Sequence, residues 1–196
     1  MKMTIGITGG IASGKSFVCS QIKQMGYPLV DCDQINKDLQ QIGMPIYNEI
    51  LNQFGKEFLN EDKTIDRVKL GKLIFANEED RKKLNNISHP LIINEMKRRI
   101  DEFDGIVFVE IPLLFETGLE HLCDKIICVF VDEITQINRL MARDSIEYDY
   151  TISKIKAQMP LEYKKEKSNF IIDSSLGFDD TKRQINEIIN ILKETV

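Results

Sequence analysis

The chain has 196 residues, a formal net charge of −5, 42% hydrophobic and 29% charged residues, the composition of a globular protein with one core or one core carrying a small insertion. No apolar stretch approaches the ~20 residues that cross a bilayer, and an acidic balance without clustered Lys and Arg argues against general nucleic-acid binding. The four cysteines, Cys19, Cys32, Cys123 and Cys128, form no C-x-x-C pair, and two histidines are too few for a histidine-based metal site, so the thiols are expected reduced and mostly buried.

Met1-Lys2-Met3 passes straight into a strand pattern with no apolar segment or cleavage site of a secretory signal, so the expected location is cytoplasmic. Met3 to Thr8 reads as that strand. It runs into Gly9-Gly10-Ile11-Ala12-Ser13-Gly14-Lys15-Ser16, which matches G-x-x-x-x-G-K-[ST] in the strand-then-loop context of a triphosphate-binding loop. The glycines let the backbone bend so that successive N–H groups point inward, and the loop ends at a helix N-terminus that favours anions. Lys15 then reaches the β and γ phosphates, and the Ser16 hydroxyl suits the magnesium ion that accompanies them. Val18, Ile22 and Met25 at i, i+4 and i+7 predict a first helix over Lys15 to Gln24, closed by Gly26.

Pro28 to Asp31 reads as the second strand, and Asp31-Cys32-Asp33 comes at its carboxyl end, where open parallel sheets place ligand-binding residues. By strand alternation Asp31 and Asp33 project to one side, where a carboxylate suits accepting a proton from an attacking hydroxyl or holding magnesium through water. The other reading of Asp33 is an N-cap for the helix carrying Ile35, Leu39 and Ile42. From about 33 to 103 there are helical stripes (Ile35, Leu39, Ile42; Ile46, Ile50, Phe54; Ile92, Met96, Ile100) and no strand, which predicts an inserted helical lobe. Its economical use is to hold a second substrate and exclude water. Ser88-His89-Pro90 is expected to open the helix of Ile92, Met96 and Ile100, with His89 a structural residue near the helix start.

Ile106 to Ile111 and Lys125 to Val131 are nearly continuously apolar, as strands buried on both faces are, so both are expected at the sheet centre. Glu110 ends the first on an acid, the form of a magnesium-supporting position, and Pro112-Leu113-Leu114-Phe115-Glu116 behind it reads as a shaped loop. Asp132, after the second, has the same form and competes with it. Arg139 and Arg143 share one face of the next helix and suit a moving phosphate, because the planar guanidinium matches its oxygens; surface pairing with Asp144 or Glu147 is the alternative. The segment from 144 to 166, charged and containing Met159-Pro160, reads as a lid, and the run Lys164-Lys165-Glu166-Lys167 as a solvated helix face. Asn169 to Asp173 is the fifth strand, and Ile185, Ile188, Ile189 and Leu192 stripe the last helix. Strands alternating with helices predict an α/β fold with a mostly parallel sheet. The expected division is a core of about 1–32, 104–143 and 167–196, a helical lobe of about 33–103 and a lid of about 144–166.

Together, Ile7 to Ser16, Asp31-Cys32-Asp33, Ile87-Ser88-His89-Pro90, Ile111-Pro112-Leu113-Leu114-Phe115-Glu116, and Gln136 with Arg139, Arg143 and Ala157-Gln158-Met159 resemble the dephospho-coenzyme A kinase family from Thr4 to about Asp173. The phosphate loop fits many families; P-L-L-F-E preceded by H-P is much more specific. The resemblance implies a P-loop NTPase three-layer sandwich with a five-stranded parallel sheet, an inserted helical coenzyme-binding lobe and a lid. It implies transfer of the γ phosphate of ATP, with Mg2+, to the ribose 3′-hydroxyl of dephospho-CoA, by a monomer or small homo-oligomer that uses neither nucleic acid nor membrane. Carried over by position, Asp33 is the base, Lys15 and Arg143 are the catalytic cations, and Gly9, Gly10, Ile11, Ala12, Ser13, Gly14, Lys15, Ser16, Phe17 and Arg139 bind ATP. Thr8, Asp33, His89 and Leu113 face the coenzyme, and Ser16 and Glu110 support the metal. The chain departs from the family pattern at Phe17, usually Thr, at Glu110, usually Asp, and at Ile172-Asp173-Ser174-Ser175, usually I-D-N-x-G.

A different P-loop kinase, acting on a nucleoside monophosphate or a sugar acid, also accommodates a helical insertion and lid arginines. A GTP-operated switch does not: Asn36-Lys37-Asp38-Leu39 lacks the N-K-x-D order and no D-x-x-G occurs.

Overall fold

The protein is described here from a computed structural model, which covers residues 2–195. The apolar run of β1 (Met3–Gly9) pairs in parallel with β3 (Ile106–Glu110) and with β4 (Lys125–Phe130), with Ile5 opposite Phe108 and Ile7 opposite Ile127. β2 (Leu29–Asp31) and β5 (Phe170–Asp173) complete a five-stranded parallel sheet in the order β2-β3-β1-β4-β5. The middle strand is therefore β1; β3 and β4, expected there, flank it on either side. All three are interior, which is why the apolar runs of β3 and β4 alone do not tell which strand lies between the others. The chain winds to one side of β1 for β2 and β3 and to the other for β4 and β5, so the end of β1 lies where the strand order reverses. Open α/β sheets form their ligand crevice at that point.

Met3, Ile5 and Ile7 alternate along β1 and join Val18, Cys19 and Ile22 of α1 (Lys15–Gln24) and Ile185, Ile188, Ile189 and Leu192 of α9 (Phe178–Thr195) in one buried cluster. The α9 stripe matches its predicted face; on α1, Val18 and Ile22 turn inward but Met25, the C-cap, is 40% exposed, and the helix is closed as expected by Gly26, in the left-handed region at φ 86°. The remaining helices of this part of the chain are α6 (Glu133–Asp144), α7 (Tyr148–Lys156) and α8 (Leu161–Glu166), the last packed against β1 and β4.

Cys128 is fully buried on β4, and burial pushes its thiol up to about 12; Cys123 is pushed up to about 12 as well, first by burial and then by Asp124. At pH 8 a thiol of that acidity is ionised in only about one molecule in 10⁴, and the thiolate is the reactive form. Titration of the native chain with a disulfide reagent at pH 8 is expected to leave both unreacted, and unfolding in denaturant to release both. Rapid native-state labelling of Cys128 would contradict this burial.

The chain divides into two compact units, Met1–Val30 with Phe103–Val196, and Asp31–Glu102. The second is helical: α2 (Cys32–Leu39), α3 (Pro45–Phe54) and α4 (Arg67–Ala76) each pack against α5 (Glu78–Asp101). Its core contains Ile35, Leu39, Ile46, Ile50, Phe54, Met96 and Ile100, so most of the predicted stripes turn inward. Ile42 does not. It follows the end of α2 and is 55% exposed, because the helix stops before the third member of its stripe can form.

Ser88-His89-Pro90 does not open a helix either. α5 begins at Glu78, where the Asn77 side chain accepts from the amides of Glu79 and Asp80 and three acids occupy the first turn, favourable beside a helix N-terminus. Pro90 lies inside α5 and removes one ladder donor. Ser88 satisfies its own hydroxyl by donating to the Leu84 carbonyl at 2.7 Å. Near the other end, Glu95 pairs with Arg98 and Arg99, which lower its carboxyl to about 2, and Arg99 also reaches Asp38 at 2.7 Å.

Candidate active site

Gly9 ends β1 and Gly14 caps α1, so the loop between them joins a buried strand to a helix N-terminus. Gly9 has no room for a side chain: a Cβ there would lie 2.6 Å from the Val129 carbonyl of β4. Gly14 adopts φ 86°, a left-handed conformation that a residue with a Cβ takes only at a cost. No side chain caps α1 and its first turn contains no acid, and a helix end of this kind favours an anion. Ala12 is also left-handed, at φ 58°, without glycine's freedom.

Contacts from distant parts of the chain hold the loop. The Ile11 N–H donates to Gln158 Oε1 at 2.8 Å, and its carbonyl accepts from Gln136 Nε2 at 2.8 Å. The Ser13 carbonyl accepts from Ser174 Oγ at 2.8 Å; Ser174 in turn accepts two bonds from Arg139, Nη1 to its hydroxyl and Nη2 to its carbonyl, both at 2.8 Å. Ser174 is one of the departures from the family pattern, and it is a buried tether between the loop and α6. Gln136 and Gln158 belong to the motifs already noted, but nothing in their local pattern marks them as loop supports.

Lys15 pairs with Glu110 at 3.0 Å, and both side chains are mostly buried. Asp132, the competing acid, is the N-cap of α6, accepting from the Thr135 amide at 2.9 Å; a side-chain hydrogen bond from Thr135, together with that amide, holds its carboxyl below the usual range. Of the two acids, the one beside the loop lysine is Glu110. The Ser16 side chain, one residue on, is exposed.

The two arginines of α6 have different surroundings. Arg139 lies at the loop, beside Gly14 and Ser174. Arg143 is 55% exposed and turns to Asp144 at 2.8 Å, the pairing given as its alternative role. Asp144 also receives Lys154 at 2.8 Å, and the two cations hold its carboxyl at about 2. Next to the loop, a cavity of about 250 Å³ is lined by Gly14, Phe17, Arg139, Ser174, Gly177 and Phe178. Phe17 and Phe178 face each other across 4.7 Å between ring centroids, so the phenylalanine that departs from the family pattern forms an aromatic wall of this cavity.

On the other side of β1, Thr8 donates to the Pro112 carbonyl at 3.2 Å, and Leu113 is 42% exposed. Lys164, expected on a solvated face, is fully buried: its ammonium lies 2.7 Å from Glu116 and 3.3 Å from the Pro112 carbonyl. A charge count along the chain misses this because a partner carboxylate in the Pro112–Glu116 loop, remote in sequence, makes that burial tolerable.

In the helical unit, α2 begins at Cys32, so strand alternation does not extend to Asp33. Asp31 is the N-cap, accepting from the Gln34 amide at 3.0 Å. Asp33 is therefore not the cap; it stands in the first turn of α2 and is exposed. His89 is half-buried on α5.

A family model for dephospho-CoA kinase matches residues 3–180. A dephospho-CoA kinase of Bacillus licheniformis is 43% identical over 194 residues, covering 97% of this chain and 96% of its own. Among solved structures, a dephospho-CoA kinase from Campylobacter jejuni superposes with a TM-score of 0.73 at 31% identity, covering all of both chains. TT1252 from Thermus thermophilus superposes with a TM-score of 0.86 at 27% identity, covering 97% of each.

Proposed function

The chain belongs to the dephospho-CoA kinase family, an ATP-dependent kinase of dephospho-CoA, and on that premise we propose how its own residues divide the reaction. The observation that carries the reading is Lys15 at the uncapped N-terminus of α1, behind a loop whose curvature is set by Gly9, Ala12 and Gly14. Loop amides from Gly9 to Ser16 cradle the phosphates, and Lys15 exchanges Glu110 for the β and γ oxygens as ATP enters. The slot between Phe17, Phe178 and Arg139 suits the nucleotide base, with an aromatic face on one side and a guanidinium on the other.

Asp33 accepts the proton of the ribose 3′-hydroxyl as that oxygen bonds to the γ phosphorus and the bond to the leaving ADP oxygen breaks. Arg143 follows charge onto the transferring group. Its partner Asp144 forms a surface ion pair with it, of the kind that contributes little, so leaving it costs little. Thr8, His89 and Leu113 serve the coenzyme side. The 144–166 segment acts as the lid over the site, and the reduced thiols suit a cytoplasmic enzyme.

The metal fits as an ion carried in by the triphosphate. Among the described residues no cluster of three or more His, Cys, Asp or Glu side chains forms a cage, whereas Mg2+ typically takes one or two protein oxygens with phosphate and water. Ser16 and Glu110 are the residues that would hold it, and it would neutralise charge on the phosphates. A coupled assay for ADP is expected to require both dephospho-CoA and Mg2+, with activity lost on chelation and restored by Mg2+. Equal turnover with AMP or gluconate as acceptor would overturn the acceptor assignment, and turnover unaffected by chelation would overturn the metal roles.

A further inference from the structure

Ile11 is held at both its main-chain groups by side chains from distant parts of the chain, its N–H by Gln158 and its carbonyl by Gln136, immediately before the left-handed Ala12. Such a conformation persists where the surroundings over-determine it. Gln158 sits at the end of α7, its own amide on the Ile155 carbonyl at 3.1 Å. The next amide, of Met159, donates to Glu116 Oε1 at 3.1 Å. That same oxygen faces Lys164 Nζ at 2.7 Å, and Lys164 also donates to the Pro112 carbonyl, which receives the Thr8 hydroxyl. The contacts thus run from the end of β1 through Pro112, Lys164, Glu116 and Met159 to Gln158, and back into the loop at Ile11.

Lys164 is fully buried while the Glu116 side chain is 20% exposed, and the cost of desolvating the ammonium offsets much of its attraction to the carboxylate, so the pair is a poor source of stability. What the pair supplies is direction. An ammonium and a carboxylate each hydrogen-bonded to a main-chain group fix where the 158–159 peptide lies to within a hydrogen-bond length.

We propose that Glu116 and Lys164 are positioning residues for phosphoryl transfer: they place Gln158, whose carboxamide keeps the phosphate loop at Ile11 and Ala12 in the shape that receives the triphosphate. The proposal rests on the reading of this loop as the ATP site. Neither residue touches the reacting atoms; both act through Gln158.

The test compares the intact wild-type chain with Gln158→Ala, with the charge-free pair Glu116→Gln plus Lys164→Met, and with all three changes together. Removing both charges avoids a buried unpaired ion, and thermal melting identifies the temperature at which every variant is folded. At that temperature, Gln158→Ala and the pair replacement are each expected to lower kcat about tenfold and weaken binding of a fluorescent ATP analogue several-fold, with KM for dephospho-CoA within about twofold. The triple variant is expected to be no worse than either, because all act through one group. Unchanged kcat and ATP-analogue affinity with a lowered melting temperature would reduce the pair to an anchor for α8 and overturn the proposal. Effects that multiply in the triple variant would overturn it too, by showing that the pair acts apart from Gln158. A wild-type chain that failed to bind the analogue would remove the ATP-site reading itself, whereas wild-type binding with unaffected variants removes only the positioning role.

Discussion

Asp33→Asn is expected to lower kcat for dephospho-CoA phosphorylation by about 10²–10⁴, the range general acid–base catalysis supplies, while ATP affinity stays within about twofold. Asn keeps the size and the accepting oxygen of Asp33 but cannot take up a proton at neutral pH. The position permits this separation. Asp33 is exposed in the first turn of α2 and is not the N-cap, a duty that belongs to Asp31, so the exchange leaves the start of the helix intact. The loss of a favourable charge near the helix N-terminus costs only about 0.3–1 kcal/mol, too little to unfold the lobe. Steady-state kinetics paired with equilibrium titration of ATP checks both halves. A kcat near that of the unaltered chain would exclude Asp33 as the base.

Lys15→Met is expected to lower kcat by about 10²–10³, the loss seen when one preorganised charge at a developing oxyanion is removed, and to weaken ATP binding as well. Its long stem fills the same space, so the change is one of charge. The lysine pairs with Glu110 at 3.0 Å, and its removal leaves a mostly buried carboxylate without that partner. Lys15→Met combined with Glu110→Gln separates the two effects: melting temperature recovers toward that of the unaltered chain, while kcat remains low. Lys15→Arg is expected to recover little, since a planar fork does not replace a compact ammonium inside a tight loop. Full activity in Lys15→Met would remove the loop lysine from the transfer.

The parts of the site legible in the sequence are those with a local cause. Gly9 to Ser16 announces a phosphate loop because its curvature and helix start depend on near neighbours, and the five strands announce themselves by apolar runs with breaks between them. The acid at Asp31 and Asp33 was legible as a pair near a strand end, but not which of the two caps α2, because that depends on where the strand stops. The start of α5 at Asn77 was also written in the chain, as an N-cap followed by Glu78, Glu79 and Asp80, but Pro90 imitates a helix opening and conceals it.

The remaining features depend on residues brought together by the fold. Gln158 and Ile11 are 147 positions apart, and Ser174 and Ser13 are 161 apart. No periodicity connects such residues, so the tethers of the loop could not be derived from either end. Lys164 shows the same limit: with Glu116 unseen, a lysine in a basic run belongs on the surface, and only the packing of α8 against β1 and β4 places its ammonium inside. Likewise Arg139 and Arg143 share a helix and a spacing, but Ser174 draws one to the loop and Asp144 draws the other outward. The phosphate loop, the α/β alternation and the family all follow from local pattern along the chain. What holds that loop in shape, which acid meets Lys15 and which arginine lies beside it are set by contacts between segments whose meeting is a property of the whole fold.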